Sequence, residues 1–179
     1  MDYIPRNIQD TLERISASFP VVLVTGPRQV GKTTLLQKQS AHDRKYVTLD
    51  DPLLRELASN EPALFMQKYA PPVLIDEIQY APQLLPYIKM RVDADKKPGD
   101  FWLTGSQMFS VMKGVSESLA GRVGILPILG LSYDELSGNC IQQPFSLGDE
   151  YLQAKMAHSR NLDVRTLYRH IFKGGMPYM

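Results

Sequence analysis

The stretch Val21-Val22-Leu23-Val24-Thr25-Gly26-Pro27-Arg28-Gln29-Val30-Gly31-Lys32-Thr33-Thr34 constrains the chain more than any other. Its apolar run reads as a buried strand, its middle as a glycine-punctuated loop and its end as the first turn of a helix. The loop fits G-x-x-x-x-G-K-[ST], the pattern of a phosphate-cradling P-loop. Gly26 and Gly31 let the backbone turn tightly and approach a phosphate with no Cβ in the way. The freed N–H groups and the helix N-terminus then direct partial positive charge at the anion. In that arrangement Lys32 reaches the β- and γ-phosphates and the Thr33 hydroxyl binds Mg²⁺. Pro27, Arg28, Gln29, Val30 and Thr34 complete the expected nucleotide-binding loop. The bland alternative is a plain strand–turn–helix corner.

Around this stretch, helical and extended patterns alternate. Ile8, Leu12 and Ile15 recur at helical spacing over about 8–18, and a second helix follows Thr33 to about Ser40. Lys45 to Leu49, Val73-Leu74-Ile75, Phe101-Trp102-Leu103-Thr104 and Arg122 to Ile128 read as four more strands. Helices are expected over Leu53–Ala58, Pro62–Tyr69, around Leu84–Val92 with Pro86 in its first turn, about Ser116–Ala120, and near Tyr133–Leu136. Such alternation argues for an α/β fold, a mostly parallel five-stranded sheet with both faces covered. The expected organisation is a core over residues 1–137 and a loop and helical segment over 138–179. The closing Lys173-Gly174-Gly175-Met176-Pro177 reads as a helix C-cap and turn, so the protein as made in the cell is expected to be longer.

Parallel strands end at one edge, so motifs far apart in the chain are expected to meet there. Asp76-Glu77, closing the third strand, would place Asp76 near the Mg²⁺ held by Thr33 and leave Glu77 to polarise an attacking water. A helix N-cap with a solvated acid is the alternative. Ser106, or secondly Gln107, at the end of the fourth strand could sense the γ-phosphate, or Ser106 could simply cap the next helix. Arg122 could stabilise charge on a transferring phosphate, in cis or toward a neighbouring subunit, or form a surface ion pair. Asp50 and Asp51 could orient Arg122 or the Mg²⁺ shell, although capping the next helix explains them as well. Arg165, Arg169 and Lys173 share one face of the last helix, and with Arg160 and His170 make it basic; a solvated face is the simpler reading than a nucleic-acid contact.

The remaining composition excludes several classes. The net charge of +1 gives no global footprint for nucleic acid. The longest apolar runs fall far short of the ~20 residues that span a bilayer, and no secretory pattern opens the chain. The lone Cys140 excludes an internal disulfide framework and suits the cytoplasm.

Taken together, Gly26–Leu36, Leu49-Asp50-Asp51-Pro52, Ile75-Asp76-Glu77-Ile78-Gln79, Leu103-Thr104-Gly105-Ser106, Ser118-Leu119-Ala120-Gly121-Arg122 and Gly174-Gly175-Met176-Pro177 resemble the AAA-type ATPases of bacteria and archaea that carry a C-terminal domain of unknown function. The resemblance covers nearly the whole chain, in the family's order, and corresponds to the family's N-terminal ATPase part. It implies an AAA-like three-layer sandwich, with an added strand between the P-loop strand and the neighbour of the Asp-Glu strand. It also implies ATP with Mg²⁺ as the ligand, and a helical lid and winged-helix-like segment beyond this chain's end.

Two functions from different classes are therefore expected. One is Mg²⁺-dependent ATP hydrolysis coupled to a partner. The other is a nucleotide-responsive binding module for DNA or protein, with little or no turnover. A nucleotide kinase fits less well, because adjacent Asp76 and Glu77 suit hydrolysis.

Overall fold

The computed structural model describes residues 3–40, 42–106, 114–115, 117–138, 146–157 and 163–177. Strands β1 (Val21–Thr25), β2 (Lys45–Thr48), β3 (Val73–Asp76), β4 (Phe101–Gly105) and β5 (Val123–Pro127) form one sheet in the order β2-β3-β4-β1-β5. Every pairing is parallel, so the sheet is wholly rather than mostly parallel. The added strand is β4. It lies directly between β1 and β3, so the Asp-Glu strand itself borders it, one place nearer the P-loop strand than expected.

Parallel neighbours cannot be joined by tight turns, and helices carry the chain back across both faces. Helices α1 (Gln9–Ser18) and α2 (Lys32–Gln39) flank β1; α3 (Pro52–Asn60), α4 (Pro62–Lys68) and α5 (Leu84–Asp95) fill the later crossovers. Alternate side chains on each strand serve opposite cores. Val21, Leu23, Ile75, Phe101 and Leu103 join Phe65, Leu84 and Ile88 on one face. Val22, Val24, Leu74 and Trp102 join Leu12, Leu35 and Leu36 on the other. The four-residue apolar run of β1 is thus a strand buried on both sides, which is why it shows no alternation.

Beyond β5 lie α6 (Tyr133–Leu136), α7 (Asp149–Ala157) and α8 (Val164–Lys173). Gln107, Ser116, Cys140, Arg160 and the stretch 139–145 of the expected loop and helical segment lie outside the described residues; helical backbone is present at 114–115 and 117–118. Neither α7 nor α8 buries a residue, and α8 exposes Val164, Leu167, Tyr168, Ile171 and Phe172 at helical spacing. Arg165, Arg169 and Lys173 are exposed too, which is the solvated placement. The segment after α8 does return to the core. Leu131 N–H donates to Gly175 O at 2.6 Å, Met176 packs on the second core, and a Cβ on Gly175 would lie 2.6 Å from the Leu131 carbonyl oxygen. Only glycine allows that approach. Among the described residues no helix is long and apolar enough to cross a membrane.

Candidate functional site

The C-terminal edge of the sheet gathers the loop after β1, the end of β3 and the end of β4. Gly26 has φ +148°, and a Cβ there would meet Ile128 O at 2.1 Å, so the loop's entry admits glycine alone. Gln29 (φ 64°) and Gly31 (φ 89°) also adopt positive φ, and Gly31 caps α2. Lys32 is buried, and its ammonium curls back to donate to Gly26 O (3.0 Å) and Pro27 O (2.7 Å). Burial lowers its pKa, opposed by the Glu77 and Asp76 carboxylates. The ammonium therefore faces two acids while its hydrogen bonds go to neutral carbonyls.

Asp76 is the hub of a hydroxyl network. Its Oδ1 accepts from Thr33 Oγ1 at 2.8 Å and from Thr104 Oγ1 at 2.5 Å, and its Oδ2 accepts from Tyr46 OH at 3.2 Å. Burial, and then the Asp76 carboxylate, push the Tyr46 phenol up to about 12, so it remains a donor. Thr104 works in two directions, because its Oγ1 also accepts the Glu77 N–H at 2.9 Å. Glu77 itself is left-handed, φ 59° and ψ 50°, a conformation that costs a non-glycine residue about 1–2 kcal/mol. That turn separates two adjacent acids, one facing Thr33 and the other reaching Ser106 Oγ, which donates to Glu77 Oε2 at 3.1 Å.

Thr104→Val keeps the shape of a fully buried side chain and removes both hydrogen bonds. Leaving the Glu77 amide unpaired is expected to cost about 1–3 kcal/mol, read as a fall of several degrees in a melting curve. An unchanged Tm would mean that Thr104 does not hold the two acids apart.

A cavity of about 490 Å³ opens over these groups, lined among others by Arg28, Lys32, Thr33, Asp50, Glu77 and Tyr80. Gln29, Gly31 and Thr34 also line it, and Arg28 donates to Tyr80 OH at 3.2 Å. Asp51 is a cap: its Oδ1 accepts from Leu53 N (2.9 Å) and Leu54 N (3.4 Å) at the start of α3. Asp50 faces the cavity instead.

Arg122 is the residue the structure does not bring in. It precedes β5 at the N-terminal edge of the sheet, the far end from the P-loop, with its carbonyl accepting from Val21 N. Its guanidinium forks onto Asp93, Nε to Oδ1 at 2.5 Å and Nη2 to Oδ2 at 3.1 Å. A part in this chain's own site is therefore ruled out by the sheet's polarity, since neither Asp50 nor Asp51 can orient a side chain at the opposite edge. The ion-pair alternative describes what is seen.

Several residues escaped the motif reading. Tyr46 and Thr104 sit in short strands, where a hydroxyl gives no positional signal until the strand order is known. Arg6 is the other. Buried before α1, it donates from Nε to Glu135 Oε1 (3.0 Å), from Nη1 to Val30 O (2.9 Å) and from Nη2 to Leu129 O (2.8 Å). It braces the P-loop from behind through partners up to 129 positions away.

A strand feeding a glycine loop at a helix N-terminus, with a carboxylate at the end of a strand two places across the sheet, defines a P-loop nucleotide-binding fold with an inserted strand. The chain belongs to the AAA domain family, whose model matches residues 18–137. Uncharacterised proteins of Mycobacterium tuberculosis and Mycobacterium bovis are each 35% identical over 136 residues, covering 75% of this chain and 30% of each relative. The chain thus spans less than a third of the length of those curated relatives. Among solved structures, the Walker-type ATPase PABY2304 of Pyrococcus abyssi has a similar fold, with TM-score 0.53 and 19% identity over 75% of this chain and 56% of that one.

Proposed function

We propose that this chain binds Mg²⁺–ATP at the P-loop and hydrolyses it, with Glu77 as the base that takes a proton from the attacking water. The observation that carries this reading is the 2.8 Å hydrogen bond from Thr33 to Asp76, with Glu77 lining the same cavity. It joins a loop hydroxyl and a strand-end carboxylate that lie 43 residues apart in sequence.

The residues present fit both ligand and ion. Gly26 leaves the loop no room for a side chain, and Thr33 and Asp76 supply the hard oxygen donors that Mg²⁺ selects. Those two residues would hold the ion, which when bound neutralises charge on the phosphate oxygens. Lys32 would exchange the Gly26 and Pro27 carbonyls for phosphate oxygens, a stronger charge-assisted pairing. Glu77 would accept a water proton as the water oxygen bonds to the γ-phosphorus, and Ser106 would fix the carboxylate. Arg122 could act only toward a neighbouring copy.

Residues 138–179 would be the start of a lid or further domain. The exposed apolar stripe of α8 favours one second reading, a nucleotide-responsive module whose partner, DNA or protein, is engaged beyond the core.

The first test is a melting curve with Mg²⁺ and ATP, ADP or GTP beside a Lys32→Ala control. Nucleotide at ~100 times its dissociation constant should stabilise the fold by about 2.7 kcal/mol, several degrees here. The shift should vanish in the control. No shift at millimolar nucleotide would overturn the proposal.

A further inference from the structure

We infer that Gln79 is a positioning residue for the hydrolytic step: with Ser106 it anchors one oxygen of the Glu77 carboxylate and leaves the other facing the cavity. This rests on the reading of Glu77 as the base. Gln79 lies in the 3₁₀ turn Ile78–Tyr80 directly after Glu77. Its Nε2 donates to Glu77 Oε2 and to Ser106 Oγ at 3.2 Å, while Ser106 Oγ donates to the same Oε2 at 3.1 Å. A carboxylate only accepts, so the amide nitrogen must be the group that faces it.

Two further observations separate this from a chance turn contact. The Gln79 Oε1 is buried and has no hydrogen-bond partner, a loss that stability alone does not explain. The Glu77 backbone is already pinned in a left-handed turn by Thr104, so only its side-chain torsions remain to be set. Two donors on Oε2 set them. Among the described residues no hydrogen bond reaches Oε1, and Glu77 shares the cavity with Lys32 and Thr33. In the step itself the O–H bond of water breaks as its oxygen bonds to phosphorus. The proton passes to Glu77, and ADP departs with the bonding pair. Gln79 and Ser106 exchange no proton.

The test compares the 179-residue chain with Gln79→Leu, Gln79→Glu, Glu77→Gln and the double variant Glu77→Gln/Gln79→Leu. Misplacing a reacting group by about an ångström costs up to ~10²-fold, so Gln79→Leu is expected to lower kcat about 10- to 100-fold. Affinity for Mg²⁺–ADP should hold, and affinity for ADP–aluminium fluoride should fall with kcat. In the Glu77→Gln background the Leu substitution should add less than about twofold, because the two residues act as one unit.

Gln79→Glu keeps the side chain's size and serves if the Leu variant does not fold. A carboxylate cannot donate to Glu77 Oε2, so this variant too is expected to lower kcat about 10- to 100-fold while affinity for Mg²⁺–ADP holds. Wild-type rates in both Gln79 variants, or losses that add to that of Glu77→Gln, would overturn the role of Gln79 while leaving Glu77 in place. A wild-type chain that binds ATP without turnover, or a Glu77→Gln variant at full rate, would overturn the hydrolytic reading and this role with it.

Discussion

Glu77→Gln is expected to lower ATP turnover by about 10²- to 10⁴-fold, the usual worth of a positioned base. The substitution keeps the side chain's length and its capacity to bond Ser106 and Gln79, but an amide cannot accept the water proton. Nucleotide affinity should be preserved, because in the proposed site the loop amides, Lys32 and Thr33 would face the phosphates and Asp76 would face the metal. Phosphate release under steady state, read beside equilibrium nucleotide binding, separates the two quantities. A variant that binds and hydrolyses at the wild-type rate would remove Glu77 as the base. A wild-type chain that binds ATP and shows no turnover would favour the binding-module reading.

The second large effect concerns folding. Glu135→Gln is expected to destabilise the protein by about 3–5 kcal/mol, since it leaves the buried Arg6 guanidinium facing an uncharged partner. At about 2–4 °C per kcal/mol for a chain of this size, the Tm should fall by roughly 6–20 °C. The pair is 6–7% exposed, and Glu135 also accepts the Asn7 N–H (2.8 Å) and the Ser132 N–H (2.7 Å).

Burial alone would raise the Glu135 pKa, but the Ser132 and Asn7 amides and the Arg6 charge more than offset it and hold it below its ordinary 4.5. A carboxyl depressed in the folded state stabilises above its unfolded pKa, and that contribution is lost as pH falls through the folded value. Wild-type stability should therefore decline as pH is taken below about 4.5, and the Glu135→Gln variant should lack that component. Melts at pH 7 and at lower pH measure both. Because Arg6 also grips Val30 O, directly before Gly31, nucleotide affinity should weaken in the variant even where it is still folded. Unchanged melting and affinity would mean that Arg6 does not brace the loop.

Four of the five strands were legible as short, mainly apolar runs, β2 (Lys-Tyr-Val-Thr) being the exception, and a parallel sheet places the glycine, proline or acid that stops each strand at one edge. That is why Gly26–Thr34, Asp76, Glu77 and Ser106 could be expected at one edge of the sheet without a contact map. Arg122 was misplaced by the same logic applied too loosely. It stands at the beginning of its strand, and in a parallel sheet the two ends of a strand face opposite edges. The Asp93 carboxylate that pairs with it lies 29 residues earlier, on α5, where no local pattern announces the contact. Arg165, Arg169 and Lys173 read as a solvated face and are exposed, since helical spacing alone determines which residues share a side.

The sequence by itself determined the glycine loop, the helix it opens, the parallel class of the sheet and the pair of acids that end a strand. Each rests on local physics: positive φ at glycine, a helix opened by a left-handed cap, burial of apolar runs. Only the tertiary structure decided that β4 lies between β1 and β3, and with it that Thr104 reaches both Asp76 and Glu77. The same holds for Tyr46, for Gln79 against Ser106, and for Arg6 behind the P-loop. These are hydrogen bonds between residues far apart in the chain, whose partners exist only once strand order and register bring the strand ends together.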